Sequence, residues 1–306
     1  MTVTLDQLAL QGDPGTLKTD DQASKLKLLE PQQLYELWER QHWLSQEIDF
    51  TQDKKDWAGM SGEERDQFMW GLSAFFVGEE RVTTQFSGLV MAYADEQEES
   101  FLTTQQVDEA RHVQFFDRFY REVFEVDNPG ITARLARVRE DLNHHFIKLF
   151  DEVLVEAGQK LIADPSNLEA KVDFVTVYHM VIEGVLALTG QNFITQFCER
   201  DKIMPGFVEG FGKVARDEHR HVAYGTWFLK ETAGRDEKLA DLMRQRIIEL
   251  LPVAAGVLTP IGYEVGEDWA LFGYDSVQVN EFAYASLTRR LKAIGVPLMP
   301  QAPVAA

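Results

Sequence analysis

Cysteine is nearly missing from this chain of 306 residues, where Cys198 stands alone. That scarcity excludes a disulfide framework and a thiolate zinc cluster, and it fits a reducing compartment, the cytoplasm. Cys198 itself reads as a small apolar side chain rather than a nucleophile. Positive charge is also in short supply. Thirty Lys and Arg stand against fifty Asp and Glu, a formal net charge of −20. The chain therefore lacks the basic face that a phosphate backbone requires, and no nucleic-acid partner is expected. No stretch alternates apolar and polar residues as a half-buried strand does, and no glycine-rich phosphate loop is present. The N-terminus has neither the basic nor the apolar region of a signal peptide. The most apolar run, VTVYHMVIEGVLALTG (175–190), is shorter than a membrane span and contains Glu183, so no span is expected.

What remains is helical. Hydrophobic residues make up 45% of the chain, enough for one large core. Ser61 and Glu64 have the spacing of a capping box. Behind them Met69, Leu72, Phe76, Val82, Phe86 and Val90 follow the helical period. The acidic DEQEES (95–100) reads as a solvated turn, after which helical sequence resumes until DNPG (127–130) breaks it. Further helices are expected over about 131–163, 167–199, 207–232, 235–258 and 276–292. The expected organisation is a single all-α domain over 31–292, with irregular arms at 1–30 and 293–306.

Two short motifs carry chemistry. DEARH (108–112) and DEHRH (217–221) each place a Glu three residues before a His, so both side chains share one helix face. Two more carboxylates, Glu79 and Glu183, interrupt apolar faces, where a lone charge is costly unless it is paired or metal-bound. The order Glu79, Glu109-x-x-His112, Glu183, Glu218-x-x-His221 is that of a dinuclear carboxylate site in a four-helix bundle. Glu79 and Glu109 are 30 residues apart, and Glu183 and Glu218 are 35 apart, which suits antiparallel helices meeting mid-bundle. The 74 residues between Glu109 and Glu183 leave room for a crossover. Glu39 and His42 repeat the Glu-x-x-His spacing but have no matching lone carboxylate, and they are set aside. His144, His145, His179 and His219 read as structural or exposed. Four carboxylates and two imidazoles suit iron or manganese better than zinc, and they neutralise two divalent ions.

From about residue 43 to 230 the chain resembles the ferritin-like superfamily, and within it the small subunit of class I ribonucleotide reductase and its relatives. It is most similar to the ligand-binding oxidases that assemble a manganese/iron centre and hold a long-chain fatty acid. The motifs behind this are Trp43 with IDF (48–50), Asp53 and DW (56–57), then GEERV (78–82), DEARH, YHMVIEGVLALTG (178–190) and DEHRH. The resemblance implies a ferritin-like bundle with flanking helices, a homodimer and an oxidoreductase that uses dioxygen. It implies manganese on Glu79, Glu109 and His112, iron on Glu183, Glu218 and His221, and Glu109 bridging. It also implies an ether bond between Val82 and Tyr178, formed by two-electron oxidation, and a fatty acid in an apolar channel. Asp108 and Asp217 are expected to orient ligands. A regular helix would leave Tyr178 about 140° from Glu183, so a π-type distortion is expected between them.

Three other functions fit part of the pattern. A ribonucleotide reductase small subunit would use Trp43 and Asp217 for electron transfer. However, Phe116 stands four residues after His112, where a radical tyrosine would be, and no Tyr follows Tyr284. A desaturase or monooxygenase is suggested by the two DExRH motifs. A non-catalytic ferritin-like storage protein would assemble as a cage.

Overall fold

The computed structural model describes residues 12–298. Four long helices form its centre: α1 (Gly62–Gln85), α2 (Glu96–Glu122), α3 (Leu168–Asp201) and α4 (Pro205–Glu231). α1 packs on α2, α3 on α4, and α2 on α4, the arrangement of a ferritin-like four-helix core. Helices Pro31–Arg40, Thr51–Gly59, Glu237–Leu258 and Ser276–Ile294 flank this core. The strands Ala270–Leu271 and Tyr274–Asp275 pair as a small hairpin.

Local chemistry sets where the four helices begin. The Ser61 hydroxyl accepts from the Glu64 N–H while Glu64 accepts from that of Ser61, so the capping box forms. α4 is capped at long range, by a carboxylate far away in sequence. Asp53 accepts from the N–H groups of Gly206 and Phe207 at 2.9 and 2.5 Å, and Asp56 accepts from that of Met204 at 2.8 Å. A side chain at Gly206 would lie 2.2 Å from the Asp49 carbonyl, so only glycine lets the two segments meet. The IDF and DW motifs thus position α4.

α3 departs from regular geometry at the expected place. Thr176–Ala187 is π-helical, and the Leu188 N–H donates to the carbonyl of Glu183, five residues back. The extent of α3 matches the helix expected over about 167–199. At 34 residues it passes the length test for a membrane span, but 94% of its most apolar window is buried inside the protein. Length therefore does not set this helix apart from a spanning one; its burial against the other helices does.

Three expectations need correction. DEQEES is not a free turn. Asp95 caps α2 by accepting from the N–H groups of Gln97 and Glu98, and the rest of the segment is the first turn of that helix. Glu98 is buried there, paired with Lys171 at 2.9 Å and accepting from the Tyr224 hydroxyl at 2.7 Å. The segment expected over 131–163 is two helices, interrupted after Arg139 and resuming at His144 under an Asn143 cap. The N-terminal arm, expected to be irregular, carries a turn of 3₁₀ helix at Pro14–Thr16 and the helix Asp20–Lys25. Its Asp13 is wholly buried against Arg290. Residues 1–11 and 299–306 of the expected irregular ends lie outside the described residues.

Candidate metal centre

All six sequence-selected ligands converge at the middle of the four-helix core. Glu79 comes from α1, Glu109 and His112 from α2, Glu183 from the π-helical part of α3, and Glu218 and His221 from α4. None is more than 6% exposed. They form two overlapping clusters, Glu79–Glu109–His112–Glu218 and Glu109–Glu183–Glu218–His221. Within each cluster one ligand atom per residue lies within 4.8 Å of every other. Glu109 and Glu218 belong to both, whereas the family resemblance had implied sharing of Glu109 alone.

Both imidazoles point Nδ1 inward. His112 Nδ1 lies 3.3 Å from both Glu79 and Glu218, and His221 Nδ1 lies 3.0 Å from Glu109 and 3.1 Å from Glu183. Their Nε2 atoms face outward to carboxylates, and the pairing is crossed. His112 on α2 meets Asp217 of α4 at 3.4 Å, while His221 on α4 meets Asp108 of α2 at 3.3 Å. A carboxylate on the outer nitrogen fixes the ring orientation of a ligating histidine. Arg220 bridges both aspartates, at 2.8 Å to Asp108 and 2.6 Å to Asp217. Arg111 donates to Asp108 at 2.9 Å. Two indoles complete this layer: Trp43 Nε1 donates to Asp217 at 2.7 Å and Trp38 Nε1 to Asp108 at 2.8 Å. The arginines of the DExRH motifs, Gln105 and Trp38 were not singled out from the sequence. The repeated Arg before each His was the available signal.

The charges balance. Burial drives the Glu79 and Glu183 carboxyls well above the usual range. Burial also works against ionised Glu109 and protonated His112 and His221, but facing charges outweigh it, Glu79 beside His112 and Glu109 beside His221. Glu109 stays well below the usual range, and both histidines are raised well above theirs. The four carboxylates match the charge of two divalent ions. Oε2 of Glu109, of Glu183 and of Glu218 are buried without a hydrogen-bond partner, which is costly unless a cation meets them. The donor set therefore fits two metal ions.

Tyr178 reaches this site. Its hydroxyl donates to Glu109 Oε1 at 2.5 Å, and the Gln105 amide donates to it at 3.2 Å. Burial and the surrounding carboxylates raise the phenol well above its normal range. Against this face of α3, a side chain at Gly225 would lie 2.3 Å from His179 Cβ, so glycine permits the close approach of α4. Val82 lies on the wall of an apolar cavity whose lining includes Glu79, Glu109, Glu183 and Glu218. The lining continues through Phe150 and Leu186 to Trp269 and Phe272. Phe116 is fully buried, stacked 5.9 Å from Phe75. Glu39 and His42 are both exposed and take no part.

The fold has known counterparts. One solved structure is a point mutant of an R2-like ligand-binding oxidase with anaerobically reconstituted Mn/Fe cofactor. It is 27% identical, with a TM-score of 0.73, covering 87% of this chain and 93% of that one. Another mutant with aerobically reconstituted Mn/Fe cofactor is 28% identical, with a TM-score of 0.74 over 87% and 94% of the two chains. A third, with a non-activated Mn/Mn cofactor, is 28% identical, with a TM-score of 0.73 over 87% and 93%. Residues 24–299 match the family described as ribonucleotide reductase, small chain. With that match spanning nearly all the described residues, the chain belongs to the ribonucleotide reductase small-chain family.

Proposed function

We propose that the protein is a dioxygen-using dinuclear metal oxidase. Glu79, Glu109 and His112 would hold manganese and Glu183, Glu218 and His221 would hold iron, with Glu109 and Glu218 common to both ligand clusters. The family and fold support an oxidoreductase with a dinuclear centre, and of the structural neighbours named above two carry Mn/Fe and one Mn/Mn. Bound manganese and iron would supply dioxygen activation. The observation that carries the reading is the apolar cavity, whose lining includes the Glu109, Glu183 and Glu218 carboxylates and Val82. A long-chain fatty acid suits such a cavity, with its carboxylate toward the centre and its tail along Phe150, Leu186 and Phe272. The reading includes a homodimer, which sedimentation velocity tests.

The protein's own residues orient the reaction. Glu109 holds the Tyr178 hydroxyl and can accept its proton. Joining the Tyr178 oxygen to the Val82 β-carbon breaks one O–H and one C–H bond, and dioxygen accepts the two electrons and two protons released. The surrounding apolar walls exclude water from the oxidation. Peptide-mapping mass spectrometry, before and after air meets protein loaded with manganese(II) and iron(II), tests this. The expected product is a Val82 peptide joined to a Tyr178 peptide and short of two hydrogens, absent from Tyr178→Phe. Bound metals with no linked pair would overturn the cross-link.

A ribonucleotide reductase small subunit is the second reading, favoured by the unbroken contact from Trp43 through Asp217 to His112. Nucleotide reduction with an added large subunit would establish it.

A further inference from the structure

The contact from Trp43 to His112 has a counterpart on the other half of the site. Trp38 donates to Asp108 Oδ1 at 2.8 Å, and Asp108 Oδ2 lies 3.3 Å from His221 Nε2. The two chains of contacts differ at their outer ends. Trp43 is only 6% exposed, enclosed by His112 and Phe115. Trp38 belongs to the surface helix Pro31–Arg40 and is partly open to solvent beside Tyr35 and His42. Charge satisfaction does not require the Trp38 indole, since Arg111 and Arg220 already donate to both oxygens of Asp108.

We propose that Trp38, through Asp108 and His221, is the route by which electrons from an external one-electron donor reach the centre. The inference rests on the oxidase reading above. Reducing one dioxygen to two waters takes four electrons and four protons. A two-electron oxidation of substrate provides two of those electrons. The other two leave the centre and are replaced, for a further turnover, by a donor that loses one electron at a time. Indole is readily oxidised by one electron, and Trp38 is the more exposed of the two tryptophans. The electron crosses from Trp38 to His221 over two hydrogen-bond-length contacts, so no large movement of the chain is needed.

The test is anaerobic stopped-flow reduction of the air-oxidised, manganese/iron-loaded protein by reduced methyl viologen, followed by the optical and electron paramagnetic resonance signals of the centre. Trp38→Phe is expected to slow reduction about tenfold or more, whereas Trp227→Phe, at a partly exposed indole packed on Tyr224, stays near the native rate. Trp38→His keeps an N–H donor but is not an indole, so it is expected to be as slow as Trp38→Phe. The resonance spectrum of the oxidised centre should be the same in native protein and Trp38→His, which separates electron transfer from ligand positioning. Native rates in both Trp38 variants would overturn the route, and recovery in Trp38→His alone would reduce Trp38 to a positioning residue. A native centre that air does not oxidise would overturn the oxidase reading and this route with it. An oxidised centre reduced at one rate in every variant overturns the route alone.

Discussion

The two halves of the metal centre use the same side chains on different backbones. The His112 half takes its lone carboxylate, Glu79, from regular α-helix, while the His221 half takes Glu183 from a π-helix. Outside the ligands the halves match again, each imidazole leaning on an aspartate of the opposite motif and each aspartate on an indole. The difference therefore lies in what each lone-carboxylate helix must present. α1 supplies Glu79 to the ligand cluster, with Val82 beside it on the cavity wall, and a regular helix suffices. α3 must supply Glu183 and also direct the Tyr178 hydroxyl to Glu109, five residues earlier, and a regular helix cannot do both.

Losing a shared ligand should have the largest effect. Glu109→Ala is expected to lose both ions, whereas Glu79→Ala and Glu183→Ala each lose one, as counted by elemental mass spectrometry after loading. Equal losses would show that the halves do not share carboxylates. Next is Arg290→Ala. Arg290 pairs with buried Asp13 through both oxygens, at 2.7 and 2.8 Å, and donates to the Gly184 carbonyl beside Glu183 at 2.6 Å. Asp13 keeps His219 Nδ1 at 2.8 Å and the Gly15 N–H at 2.9 Å, so losing the guanidinium should cost about 1–3 kcal/mol in chemical denaturation. The resonance signal of the His221 half should change before that of the His112 half.

A pH effect follows that both halves share. Each half holds one Glu and one His whose protonated forms are favoured, and each must release its proton before it can ligate. Metal affinity should therefore rise with pH while these groups remain protonated, by about 1.4 kcal/mol per released proton and pH unit. Calorimetry in buffers of different ionisation enthalpy counts those protons for each ion. Unequal counts would reveal an electrostatic asymmetry between the halves. The smallest effect is expected from the crossed aspartates. Asp108→Asn should weaken the ion beside His221, and Asp217→Asn the ion beside His112, each by about 10–100-fold in chelator competition. The reverse assignment would mean that sequence neighbours, not the crossed contacts, orient the rings.

Local signals carried most of the site. Glu-x-x-His spacing depends only on the helical repeat, and the Ser61–Glu64 cap only on residues three apart. The distortion near Tyr178 needed the family resemblance, which implies that Tyr178 meets the centre, together with angular arithmetic on the same repeat. The misreadings share a different cause. DEQEES looked solvated because its charges are visible in sequence, while the Lys171 that buries Glu98 lies 73 residues away. The N-terminal arm looked irregular because Asp13 finds Arg290 only across 277 residues. Nothing in the sequence marks Trp38, because its partner, Asp108, lies 70 residues on.

By itself the sequence determined the helical class, the positions of the four core helices and the six converging side chains, because each rests on periodicity or on partners within one or two turns. Only the tertiary structure decided that Glu218 belongs to both clusters, that the aspartates cross over, that Asp53 caps α4 and that Trp38 is partly open to solvent. Those depend on how separate helices are turned against one another, and hydrogen bonds and packing between distant segments set that rotation.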